Sequence, residues 1–124
     1  MPYANLYLEQ EVLGATRIEL IKLLYKSALD TIAHARRCLK SGAILERSRH
    51  ITKAWEILAE LSHALDHAEG GEISRSLHDL YAYMQSRLLE ANAKQSEEPL
   101  AEVEKLLATL ADAWSHVPEI EGTY

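Results

Sequence analysis

The chain has 124 residues, 48% of them hydrophobic, which fits one domain with a packed core and excludes a disordered chain. Aromatics make up 6% and Phe is absent, so Leu, Ile and Ala must build that core, which favours helices over sheet. The formal net charge is -6, Cys38 is the single cysteine, and no run approaches the ~18 uninterrupted apolar residues of a membrane span. An internal disulfide, a secretory leader and a transmembrane segment are therefore not expected, and a soluble cytoplasmic protein is.

Residues 1–15 form a leading segment that is too apolar for a solvated terminus, with Tyr3 and Tyr7, and Leu8 and Val12, spaced one helical turn apart. A helix this short is marginal alone in water, so packing on the rest of the chain must order it. Two readings stay open: a fixed cap over the bundle, or a lid that a partner segment displaces from an apolar groove.

Thr16 followed by Glu19 is a capping-box pattern. Ile21, Leu24, Ala28, Ile32, Ala35 and Leu39 then recur on one helical face, with Leu20, Leu23 and Leu29 beside them. Gly42 suits a left-handed cap, so the first helix covers about residues 17–41. The second runs over about 44–68, on Ile51, Ala54, Leu58, Leu61, Leu65 and Ala68, with Trp55 and Ile57 beside the seam, and breaks at Gly70-Gly71. The third covers about 72–93 on Ile73, Leu77, Leu80, Met84, Leu88 and Ala91, flanked by Tyr81 and Tyr83. Pro99 fits the first turn of a last helix over about 99–116, striped by Leu100, Val103, Leu107, Leu110 and Trp114. Pro118 stops it, leaving a loose tail over residues 118–124. The expected fold is all-α: an antiparallel up-down four-helix bundle over residues 16–117, preceded by a short extra N-terminal helix or arm.

Charge is unevenly placed. Residues 1–95 are balanced, whereas residues 96–124 set Glu97, Glu98, Glu102, Glu104, Asp112, Glu119 and Glu121 against Lys105. Arg36, Arg37, Lys40, Arg47, Arg49 and Lys53 cluster around one turn, with Glu46 opposing them. That cluster reads as a solvated helix end or as a contact patch for an acidic partner. Nucleic acid is not expected, because no recognition motif or base-stacking aromatics accompany it.

Catalytic constellations do not emerge. There is no phosphate-binding glycine loop and no convincing Ser-His-Asp spacing. Glu60-Leu61-Ser62-His63, with His67 one turn on, has di-iron or zinc spacing. No second Glu-x-x-His accompanies it, and both histidines fall off the seam. The chain is expected to be neither an enzyme nor a metal or cofactor binder.

Several segments together resemble the FliS family of flagellar secretion chaperones. Tyr7-Leu8, Val12, Ala15-Thr16 and Glu19-Leu20 resemble its tyrosine-containing arm and "TASPxEL" helix start. Leu23-Leu24-Tyr25 is similar to "MLY", Lys53 to Leu61 to "KAxxIIxEL", and Leu65-Asp66 with Gly70-Gly71-Glu72-Ile73 to "LDxxxGGEI". Leu80 to Met84 and Arg87 to Asn92 resemble "LYDYMxRRLxEAN", and Leu100, Glu102-Val103, Leu106-Leu107 and Ala113-Trp114 close the pattern. The match runs in order over about residues 6–116. It departs at Arg17, where the family usually has proline, and at Gly14, Lys26 and Ala82.

The resemblance implies a non-enzymatic export chaperone without cofactor. It would bind the disordered C-terminal segment of flagellin, prevent premature polymerisation and deliver the subunit to the export gate protein FlhA. Some family members also bind the anti-sigma factor FlgM. Tyr7, Leu8 and Val12 would form the lid. Leu24, Tyr25, Trp55, Ile57, Tyr81, Tyr83 and Met84 would supply the flagellin groove, with core packing as the competing reading for each. The chain would be a monomer or weak homodimer. The alternative is a self-associating structural bundle with no flagellin client.

Overall fold

In a computed structural model, residues 16–118 are described, and they form four helices with no strand among them. Helix α1 spans Arg17–Ser41, α2 Ile44–His63, α3 His67–Lys94 and α4 Glu97–Ser115. The lid residues Tyr7, Leu8 and Val12, and the tail beyond Pro118, lie outside the described residues.

The start of α1 is fixed by a reciprocal cap. The Glu19 amide donates to Thr16 Oγ1 at 3.1 Å, and the Thr16 amide donates to Glu19 Oε1 at 3.4 Å, so two of the amides that a helix start leaves unpaired are satisfied. Its end is a Schellman turn: Gly42 sits at φ 78°, and the Ala43 amide reaches back to the Cys38 carbonyl at 3.0 Å. Between them Ile18, Ile21, Leu24, Tyr25, Ala28, Ile32 and Ala35 are buried on one face.

The second helix stops sooner than its apolar stripe suggests. The stripe continues through Leu65 to Ala68, but α2 ends at His63. Asp66 is the reason: it adopts an extended conformation and its side chain accepts from the Glu69 amide at 3.1 Å, capping a new turn. Leu65 still packs on the core, whereas Ala68 is exposed.

The glycine pair acts inside α3 rather than before it. Gly71 takes φ 52°, ψ -120°, a conformation open to glycine and costly for other residues. It separates the first turn, His67–Gly70, from the long remainder. Ser74, Tyr81, Met84, Leu88 and Ala91 are buried along α3. Ile73, expected on this stripe, is instead 71% exposed, and Ser74 holds the buried position in the first turn after the kink. In α4, Leu100, Val103 and Leu107 are buried, and Leu110 and Trp114 partly so.

Helix α1 packs on α2 and α4, and α3 packs on the same two, giving a helical bundle around one core. Contacts pair helix ends: Arg17 reaches the Ala64 carbonyl just beyond α2, and Arg47 reaches Asn92 near the end of α3. Arg36, late in α1, meets Glu97 at the start of α4, while Lys22, early in α1, reaches the Val117 carbonyl beyond its end. No helix among the described residues is long and apolar enough to cross a membrane.

Candidate functional site: an apolar groove at one end of the bundle

A groove of about 670 Å³ opens where the start of α1, the α2–α3 corner and the end of α4 converge. Its floor is apolar: Ile18 and Ile21 from α1, Leu61 from α2, Leu65 from the corner, Leu77 from α3 and Trp114 from α4. Polar groups are confined to a few, chiefly Arg17, Asp66, Glu69, Ser74 and Tyr81. Ile73 contributes to the lining while standing mostly in solvent. An apolar hollow with an exposed aliphatic side chain at its mouth suits an apolar helix face rather than a small charged ligand. A second hollow, of about 300 Å³, lies between α1 and α4 and shares Trp114 as a wall.

The groove residues expected from sequence divide sharply by burial. Leu24, Tyr25, Ile57, Tyr81 and Met84 are core residues, each 2% exposed or less, so they present almost no surface to a partner in this conformation. Each faces a neighbouring helix, and only Tyr81 also borders the groove. Trp55 at 36% and Tyr83 at 44% exposure stand on the surface. They do not share a face. The Gln85 amide donates to the Trp55 carbonyl at 3.1 Å, placing Trp55 beside α3, whereas the Tyr83 hydroxyl donates to Glu102 Oε2 of α4 at 2.8 Å. That acceptor also raises the Tyr83 hydroxyl above the usual phenol range.

Sequence reasoning missed Arg17, Ile73 and the corner Leu65-Asp66 as parts of the hollow. The signal was present in the Asp66 to Glu69 spacing, which is a cap three residues before its recipient. It was masked by the uninterrupted stripe through Leu65.

The two charge asymmetries meet in the fold. Arg36 holds both Glu97, at 2.5 Å, and Glu104, so α4 supplies the acidic partners of this one arginine of the basic turn. The Arg36 guanidinium holds Glu97 below the usual carboxylate range. Arg47, 5% exposed, donates to Asn92 Oδ1 at 3.3 Å, and Arg49 pairs with Glu46 at 3.2 Å. On the α3–α4 face Arg87 binds Glu102 at 2.6 Å and Glu90 at 3.0 Å.

His63 and His67 do not share a helix turn, because α2 ends at the first and α3 begins at the second. Among the described residues no group of three or more His, Cys, Asp or Glu could hold a metal ion.

Fold and groove together define a small helical bundle with an apolar hollow at one end. Residues 1–121 match the family model described as flagellar protein FliS. The chain is 35% identical over 116 residues to the flagellar secretion chaperone FliS of Salmonella typhimurium, covering 93% of this chain and 86% of that protein. It is 36% identical over 115 residues to the flagellar secretion chaperone FliSB of Pseudomonas aeruginosa, covering 93% and 91%. It is 32% identical over 120 residues to the FliS of Bacillus subtilis, covering 97% and 88%. The chain belongs to the FliS family of flagellar secretion chaperones.

Proposed function

We propose that this protein binds the disordered C-terminal segment of flagellin in the cytoplasm, keeps the subunit from polymerising, and hands it to the export gate protein FlhA. The observation that carries this reading is the apolar groove with Ile73 exposed at its mouth. Flagellin's terminal segments have apolar faces that need burial, and a groove supplies it temporarily. Because the client would order only on binding, part of the contact energy offsets that ordering, which leaves the complex reversible without a nucleotide. The activity is non-enzymatic and needs no cofactor.

Paired helix ends and connections of two or three residues support an up-down-up-down antiparallel course. Arg17 and Ile18 line the groove, so a lid drawn from Tyr7, Leu8 and Val12 would join the bundle at the groove's rim. Trp55 of α2 and Tyr83 of α3 are candidate client contacts on two different faces of the bundle. Leu24, Tyr25, Ile57, Tyr81 and Met84 would support such contacts from the core. FlgM, which some family members bind, is a further candidate partner.

The test is seeded polymerisation of purified flagellin. An equimolar amount of this chain should suppress filament growth, and a 1:1 complex should elute on size exclusion. Undiminished growth with no complex would refute the client. A stable dimer in the client-free chain would favour the self-associating bundle, for which exposed Ile44, Leu45 and Leu89 supply apolar surface.

A further inference from the structure

We propose that Arg17 is a clasp that holds the α2–α3 corner shut against the start of α1, and that releasing it widens the apolar groove. This makes Arg17 a positioning residue for client entry, and that last step rests on the client reading above.

The corner is built as a separate piece. Asp66 caps the turn His67–Gly70 through the Glu69 amide, and the Gly70 amide donates to the Asp66 carbonyl at 2.7 Å. Ser74 Oγ, 4% exposed as a residue, donates to that same carbonyl at 2.9 Å. The first two bonds hold the turn together, and the third staples it to α3 beyond Gly71. Gly71, at φ 52° and ψ -120°, is the hinge between the turn and the rest of α3, so a change there re-aims the corner without unwinding the helix once the Ser74 bond has also given way. On the other side, α2 has already ended at His63.

Among the described residues, Arg17 makes two polar contacts from α1 to this corner. Its Nη2 donates to the Ala64 carbonyl at 2.5 Å, and its Nη1 lies 3.9 Å from Asp66 Oδ2. One guanidinium therefore engages the cap residue of the helix before the corner and the cap residue of the turn after it, a fork that lysine cannot reproduce. Arg17 and Asp66 both line the groove, so the clasp spans its rim. If the closed corner must open before an apolar segment enters, the apparent affinity is lowered by the fraction that is open.

Arg17→Ala and Arg17→Lys in the full chain test this, with exchange and peptide binding measured with Trp55 intact and a Trp55→Phe background, which leaves Trp114 of the groove as the sole tryptophan, used for quenching alone. A charge-assisted hydrogen bond at a half-exposed site is worth about 1 kcal/mol, so Arg17→Ala should speed amide exchange in residues 64–74 about fivefold. Acrylamide quenching of Trp114 should rise with it, and Arg17→Lys should fall between. A flagellin C-terminal peptide should bind Arg17→Ala about fivefold more tightly, through a faster association rate. Unchanged exchange or quenching overturns the clasp, and faster exchange with unchanged or weaker peptide binding overturns the gating. Should the parent fail to bind the peptide, the client reading falls on its own, while exchange and quenching still decide whether Arg17 holds the corner.

Discussion

The hydroxyls of Tyr25 and Tyr81 meet at 2.5 Å in the centre of the bundle. Helix α1 packs on α2 and α4 rather than on α3, so this pair spans the diagonal that the backbones leave open. Burial raises both hydroxyls above the usual phenol range, Tyr81 furthest, and the Trp114 ring lies 6.5 Å from that of Tyr25. A buried hydroxyl deprived of its partner costs about 1–3 kcal/mol, whereas removing both partners costs less than the sum. Tyr25→Phe and Tyr81→Phe should therefore each lower the urea midpoint. The double variant should show a coupling of about 1 kcal/mol in a double-mutant cycle.

The same pair sets the alkaline limit. A folded-state ionisation that is raised gives stability that is present below the unfolded value and lost as pH rises. Stability should hold to about pH 10, the ordinary phenol value, and decline above it. The Tyr25→Phe/Tyr81→Phe variant should decline less steeply in alkaline urea titrations.

Acid acts on the other networks with the opposite sign. Arg36 holds Glu97 below the usual carboxylate range, and Arg87, then Tyr83, does so for Glu102. Their contribution is present above the unfolded carboxylate value, about 4.3, and lost as pH falls through the lower folded values. The urea midpoint of the parent should drop below about pH 4 more than that of Glu97→Gln/Glu102→Gln. Parallel acid limbs would show that these ion pairs do not set the response.

Gly71 carries the kink at positive φ, so an alanine there should cost about 1–3 kcal/mol. Gly42, at φ 78° in a regular left-handed cap, should cost about 1 kcal/mol on the same change. Thermal unfolding of the two variants side by side reads the difference directly.

Surface and core tyrosines and aliphatics should separate in client binding. Ile73→Glu and Trp55→Ala remove exposed apolar groups and should weaken peptide binding about tenfold or more with unfolding midpoints little changed. Ile57→Glu places a carboxylate in the core and should unfold the chain before it reports on binding.

Much of this architecture was legible in the residues themselves. Thr16 with Glu19, and Gly42, mark both ends of α1 because caps depend on local chemistry alone. The stripes of α1 and α4 announce which faces are buried. What could not be read was where a stripe stops being helix: Leu65 stays apolar because it packs on the core from a corner, not from α2. Periodicity likewise could not tell core from groove. Tyr81 and Tyr83 both flank the α3 stripe, yet one is buried against Tyr25 and the other binds Glu102 at the surface. That choice depends on the partner helix. The basic turn and the acidic C-terminal third looked like separate features until the fold set Arg36 on Glu97 and Glu104.

Calorimetric titration with a flagellin C-terminal peptide of about 40 residues tests the central claim, with the intact chain beside one lacking residues 1–15. Coupled folding onto apolar grooves predicts a 1:1 complex with a large negative heat-capacity change. A displaceable lid predicts tighter binding by the truncated chain. Absence of binding by both forms would contradict the client reading and leave the self-associating bundle in its place.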